Sequence, residues 1–326
     1  MNRFLLILTS ILLTGGILLC AIRWQAWFGN PPEPYWQSDT IDYRFYTFGD
    51  DSVPGFEHDG LYWQDLREPD TLQILLFADV HNALGHSQWQ QIGEWHPQTD
   101  CYAQLGDWVE RGYFYYNQQL YHDLQGTAFE EWPVINVPGN HEYRKGVIRR
   151  LPDYWLETFR HPLNGPKESL GLTYYVDFPR LRFIVIDTNG LHHLHERTRT
   201  NTWLKTVIKT AGDRFVVAMM HHPVHSSAKG RFNPATFLTF ARPLAKADVV
   251  FAGHDHNYFR RMPYINASST TKVHERKARL QDSLSILPGT PLYELIKVYG
   301  DTLRVETRQC DTGELCDEVT LVKSIE

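Results

Sequence analysis

From residue 72 onward the chain alternates short apolar runs with stretches of helical length and spacing. The runs at 72–78, 102–105, 134–137, 182–186, 215–220 and 249–252 predict strands. Between them 87–95, 113–124, 150–159, 200–210 and 234–244 predict helices, and this alternation implies a layered α/β domain. Residues 292–298, 302–307 and 318–322 add a strand-rich tail, with hairpin turns at Tyr299-Gly300-Asp301 and around Gly313. No internal repeat breaks this order, and without a second linker it reads as one domain.

The first residues follow another pattern. Positions 4–22 carry no charge, which is long enough at about 1.5 Å per residue to cross a hydrocarbon core. They predict an uncleaved anchor, a transmembrane helix, in preference to a cleaved signal peptide, whose apolar region is usually shorter. Trp24, Trp27 and Phe28 follow where an interfacial aromatic belt would sit, and Pro31, Pro32 and Pro34 then stiffen a linker. The lysine and arginine balance leans toward an extracytoplasmic main domain, or a secreted or periplasmic one if the segment is cleaved. The resulting divisions are 1–28 as anchor or signal, 29–70 as linker and lead-in, and 71–326 as the main folded domain.

Composition narrows the chemistry. A 326-residue chain with 42% hydrophobic and 21% charged residues can bury a core, and a net charge of −6 without basic runs disfavours nucleic acid as a partner. Four cysteines are too few for a disulfide framework, and Cys310 with Cys316 reads equally as a small disulfide loop or as two thiols on a hairpin. The 16 histidines are the excess to explain, since imidazole serves both metals and proton transfer.

Several histidines fall in polar clusters that directly follow apolar runs: Asp79-Val80-His81, Gly106-Asp107, Gly139-Asn140-His141-Glu142, His221-His222-Pro223 and Gly253-His254-Asp255-His256. Each offers carboxylate, amide or imidazole, the donor types that suit divalent first-row metals. Residues two apart at a strand end point the same way, so both members of DxH or HxH can reach one ion. A single such cluster is usually a turn or a cap. The glycines before Asp107, Asn140 and His254 allow close backbone approach and unusual φ values.

The five clusters, in this order, resemble the motif set of the calcineurin-like metallophosphoesterases: DxH, GDxxxR, GNHE, H and GHxH. The resemblance spans residues 72 to 256 and implies a four-layer α-β-β-α sandwich with a central pair of mixed sheets. It implies that Asp79, His81 and His256 hold one divalent metal, that Asn140, His221 and His254 hold another, and that Asp107 bridges them. His221 is preferred to His222 through the family's His-x-Pro pattern. His141 matches the histidine that faces substrate, and Arg111 the phosphate-contacting arginine of the protein phosphatase branch. Glu110 stands where purple acid phosphatases carry a tyrosine ligand, so a ferric-tyrosinate centre is not expected. The implied reaction is hydrolysis of phosphate mono- or diesters by a hydroxide that two metal ions activate, with Mn, Fe, Zn or Co as the metals.

Other residues carry plainer readings. Glu142 is expected to orient His141 or a nearby loop, and Asp255 to hydrogen-bond locally. The Tyr113-Phe114-Tyr115-Tyr116 run reads as a packed helix face before a pocket rim, and His192, His193 and His195 as a solvent-facing loop. The competing function class is a binding scaffold of the same fold whose catalysis has decayed. The complete set of ligand types, with His141 added, argues for the enzyme.

Overall fold

The computed structural model describes Phe45, Thr47 and residues 71–143, 151–152, 154–190, 193–228, 230–273 and 289–323. The predicted anchor at 4–22 lies outside them, and among the described residues no helix is long and apolar enough to cross a membrane.

Two six-stranded mixed sheets form the centre. In chain order the strands of the first are β1 (Leu72–Phe77), β2 (Cys101–Gln104), β3 (Val134–Asn136), β10 (Leu292–Tyr299), β11 (Thr302–Gln309) and β12 (Leu315–Val322). Their order across the sheet is β12-β11-β10-β1-β2-β3, with β1 to β3 parallel and the tail antiparallel. The second sheet contains β4 (Tyr174–Asp177), β5 (Leu181–Ile186), β6 (Phe215–Met220), β7 (Val249–Ala252), β8 (Phe259–Arg261) and β9 (Tyr264–Asn266). Its order is β4-β5-β6-β7-β9-β8, and β5, β6 and β7 run parallel.

Strand alternation sorts the apolar side chains into three layers of contact. Ile74, Leu76, Ala103 and Ile135 meet Phe183, Val185, Val217, Met219 and Phe251 between the sheets. Their neighbours Leu75, Phe77 and Tyr102 face the other way, against Trp89 of helix α1 (His86–Trp95) and Leu120 of α2 (Phe114–Leu124). On the far side Ile184, Ile186, Ala218 and Met220 pack on Leu204 of α5 (Leu194–Lys209) and Phe240 of α6 (Pro234–Leu244). Two shorter helices, α3 (Ala128–Glu131) and α4 (Tyr154–Thr158), complete the set. The result is the expected α-β-β-α sandwich. At the start of α6, Asn233 accepts hydrogen bonds from the Ala235 and Thr236 amides and Pro234 needs no partner for its nitrogen, which explains why that boundary could be read closely.

Phe45 sits outside this count but inside the core. It belongs to the stretch read as linker and lead-in, yet it is buried and stacks on Phe159 at 4.6 Å between centroids, beside Trp108. Cys310 and Cys316 are separate thiols, the first buried.

The two sheets are also joined by a polar clamp. Asp317 of β12 accepts from Arg260 Nε at 2.7 Å and Nη2 at 3.0 Å, and from the Tyr258 hydroxyl at 2.8 Å. Burial raises the Asp317 carboxyl, but Arg260 and Tyr258 outweigh it and hold it below its ordinary value. Asp317→Asn is therefore expected to cost about 1.5–3 kcal/mol at neutral pH. A depressed carboxyl contributes stability above its unfolded pKa of about 4 and loses it as pH falls through the folded value, so denaturant titrations of the two proteins should converge in acid.

Candidate metal centre

The parallel strands β1, β2, β3, β6 and β7 all end at one edge of the sandwich, and each is followed by one of the polar clusters. Loops there can turn several short side chains inward on a rigid support. Asp79, His81, Asp107 and His256 are buried and bring one donor atom each to within 4.8 Å of the others. His221, His222 and His254 form a second group on the same criterion. Asp107 touches both, with Oδ2 3.3 Å from His221 Nε2. Asn140 Oδ1 lies 3.1 Å from the same nitrogen, and His254 Nδ1 lies 3.2 Å from it.

The backbone accommodates this crowding at a cost. Asp79, His81, Asp107, His254 and His256 all have φ between +50° and +70°, a region that residues with a Cβ seldom adopt and that costs of order 1–3 kcal/mol each. Two glycines show why the loops cannot be bulkier. Gly106 has φ +88°, and a Cβ on Gly139 would lie 2.3 Å from the Asp107 amide nitrogen. Of the three glycines read from sequence, only Gly106 needs the unusual φ; Gly139 and Gly253 serve close approach.

Outer contacts fix the ring orientations. His221 Nδ1 is 2.9 Å from the Leu105 carbonyl, His256 Nδ1 is 2.6 Å from the Lys272 carbonyl, and His141 Nδ1 is 2.6 Å from the Glu110 carbonyl. A nitrogen facing a carbonyl must carry the proton, so each Nε2 is turned inward. The His254 amide donates to both oxygens of Asp79, at 3.1 and 2.9 Å, tying the second sheet to the first.

Glu142 has a larger task than its position suggested. Its carboxylate accepts from the amides of Asp107 (2.8 Å), Trp108 (2.7 Å), Val109 (3.1 Å) and Gly139 (2.5 Å), so it holds the Asp107 loop instead of orienting His141. Burial and the Asp107 charge push it up to about 7, against those amide donors. Asp255 bonds locally as expected, accepting from the Ser227 amide at 2.8 Å and the Ser226 hydroxyl at 2.9 Å. Arg111 is exposed, and no contact joins its side chain to the centre among the described residues. His192 lies outside the described residues.

Some supporting groups were not foreseen. Asp187, at the end of β5, accepts from the Tyr143 hydroxyl at 2.9 Å, and Asn189 donates to the Pro138 carbonyl at 2.8 Å, so this loop props the Asn140 turn. An apolar run ending in Asp-Thr-Asn was a usable signal, of the same form as Asp79. Lys272 and Arg231, whose side chains contact Glu110 and the His254 carbonyl, had none.

Electrostatics shows what such a donor set needs. Burial opposes charge on His221, yet Asp107 beside it raises its pKa to about 9; conversely burial raises the Asp107 carboxyl and His221 pulls it well below its ordinary range. His81 is lowered to about 4 by burial, and His254 is lowered by burial together with His221 and His222. His81 Nε2 and His256 Nε2 face each other at 3.4 Å, and Asp79 Oδ1 is 3.4 Å from the latter. Inward-turned imidazole nitrogens beside two buried carboxylates repel one another unless a cation lies between them, so the residues fit divalent metal ions.

The calcineurin-like phosphoesterase family model matches residues 72–258, which takes in all five clusters. The chain belongs to that family. Solved structures agree on the fold. GAP50, the anchor in the inner membrane complex of Plasmodium, is 15% identical with a TM-score of 0.59, and the match covers 78% of this chain and 90% of that one. Purple acid phosphatase PPD1 from yellow lupin seeds is 14% identical with the same TM-score, over 77% of this chain and 54% of the lupin chain. PhoD, 11% identical with a TM-score of 0.51, covers 77% and 68%. Among curated proteins none matches in sequence. At these identities the structural likeness speaks for the fold, and family membership rests on the motif-bearing region.

Proposed function

We propose that this protein hydrolyses phosphate mono- or diesters at a two-metal centre, tethered to a membrane through its N-terminal segment with the catalytic part outside the cytoplasm. The observation that carries the reading is the convergence of two donor groups on Asp107. Asp79, His81 and His256 would hold one ion and Asn140, His221 and His254 the other, with Asp107 between. Two divalent cations held there would supply the Lewis acidity that activates water and clamps phosphoryl oxygens for in-line attack.

The chain's own residues supply orientation. His141 is one-quarter exposed, its Nε2 lies 3.9 Å from Asp107 Oδ2, and the Glu110 carbonyl holds Nδ1, so Nε2 is the atom presented to a phosphate ester. From there it can hydrogen-bond a phosphoryl oxygen or the departing oxygen. Arg111, exposed on the loop after Asp107, would meet the ester from solvent. His221 rather than His222 is the proposed ligand, because His221 Nε2 lies 3.3 Å from Asp107 Oδ2 and 3.1 Å from Asn140 Oδ1, the two groups it would share an ion with. His221→Ala is expected to lose about one bound metal per chain by elemental analysis while His222→Ala keeps both; the reverse result would overturn the assignment.

The deciding experiment is metal analysis of the purified full chain, followed by a panel of aryl mono- and diesters under Mn, Fe, Zn and Co. Turnover of at least one ester that depends on added metal is the expected result. Metal binding without turnover of any ester would favour the second reading, an anchoring scaffold, which the likeness to the Plasmodium anchor brings forward. The inward orientation of His141 favours hydrolysis, since a scaffold needs no such group.

A further inference from the structure

On the outer face of the first sheet, away from every residue of the metal centre, a second cluster of charge surrounds a cavity. The β10–β11 register places Tyr293 opposite Arg308, Leu295 opposite Glu306 and Lys297 opposite Arg304, all on the face that carries α1. Three cations meet one carboxylate: Glu306 accepts from Lys297 Nζ at 2.9 Å and from Arg308 Nε at 2.8 Å, and Arg304 Nε lies 3.1 Å away. Arg304 also pairs with Glu318, so the cluster keeps one positive charge in excess, carried by Lys297 and Arg308 around Glu306.

An ion network that served only the sheet would need no space beside it. Here Lys297 and Arg308 line an open cavity of about 340 Å³, together with Trp95 and His96 at the end of α1, Tyr293, and Gly313 in the β11–β12 turn. That volume falls at the small end of ligand sites, which run from about 300 to 1,000 Å³. Both cations are only about one-quarter exposed, at 26% and 24%, so water screens them incompletely. Lys297 has two ammonium protons beyond the one given to Glu306, and the Arg308 guanidinium keeps donors beyond those given to Glu306 and the Gly313 carbonyl. His96, 2.8 Å from the Tyr293 hydroxyl, is lowered to about 4 by burial and by the charges of Arg308 and Lys297, which marks the field in the cavity as positive. The Trp95 indole forms the wall over Gly313, where a Cβ would approach it to 3.1 Å.

The geometry points to a second, metal-free oxyanion pocket that takes the phosphate group of a small phosphorylated molecule between Lys297 and Arg308. The excess charge and the remaining donors of Lys297 and Arg308 match the several acceptor oxygens of a phosphate group, and the flat Trp95 and Tyr293 walls leave room for a short organic body. This pocket stands independently of catalysis, since it shares no residue with the centre.

The test uses the full chain and inorganic phosphate, with ethylphosphonate as an esterase-resistant stand-in for a phosphorylated molecule. By amide NMR the Gly313 resonance is expected to shift saturably with either probe in the wild-type protein, a readout the metal centre does not move. Lys297→Gln, which leaves Glu306 two guanidinium partners and so spares the sheet, should weaken that binding about tenfold or more, while Lys297→Arg stays within about threefold. A Gly313 resonance indifferent to both probes overturns the pocket, as does equal binding by Lys297→Gln. A shift produced by succinate but by neither phosphorus probe also overturns it, since the site would then select carboxylates.

Discussion

Asp107→Asn is expected to abolish ester hydrolysis, with a fall of about 10³-fold or more, and to lower bound metal to at most one ion per chain. The size follows from position. Asp107 is buried, its Oδ2 lies 3.3 Å from His221 Nε2, and its Oδ1 accepts the His141 amide at 2.7 Å. Asparagine preserves shape and one acceptor but turns an N–H toward nitrogens that are themselves donors to a cation. On the proposed assignment the change would remove a shared anionic ligand and several kcal/mol of charge stabilisation, and each 1.36 kcal/mol is tenfold in rate. Elemental analysis and steady-state rates check it together, with a thermal melt to show that the sandwich persists. Unchanged hydrolysis in this variant would remove the basis for the enzyme reading.

His141→Ala should separate binding from turnover. Both metals are expected to remain, because the ring is anchored by the Glu110 carbonyl and makes no contact with Asp107 closer than 3.9 Å. Turnover should fall by about 10²–10⁴-fold, the usual worth of a positioned proton donor or acceptor. An ester with a good leaving group should be hurt less than one with a poor leaving group. Loss of metal in this variant would show instead that the histidine is a ligand.

The parts of the fold that could be read from the chain share a local cause. Strands β1, β5, β6 and β7 are near-continuous apolar runs because both faces are covered, and helix α6 announces its start with Asn233-Pro234. Strands β8 and β9 went unread because each is three residues long, and Phe259-Arg260-Arg261 carries two charges, of which Arg260 is paired only through the distant Asp317. Helix α5 begins at Leu194, six residues before the predicted start, since its first turns are exposed and polar and are held by the Glu196 carboxylate on the His193 amide at 2.8 Å. In the same way the donor clusters were legible because each is contiguous. Lys272, whose carbonyl holds His256, and Leu105, whose carbonyl holds His221, contribute backbone atoms from distant segments, and no side-chain pattern encodes that.

Phe45 sets a length. Its seat against Phe159 and Trp108 pins the chain to the sandwich well before the predicted domain start at residue 71. On the proposed tether, sixteen residues separate Phe28 at the end of the anchor from that pin. Fully extended, they span no more than about 60 Å, whereas a leash running to residue 70 would allow roughly 150 Å. On that tether the centre would be confined to within one or two protein diameters of the bilayer, a range that a leash running to residue 70 would more than double.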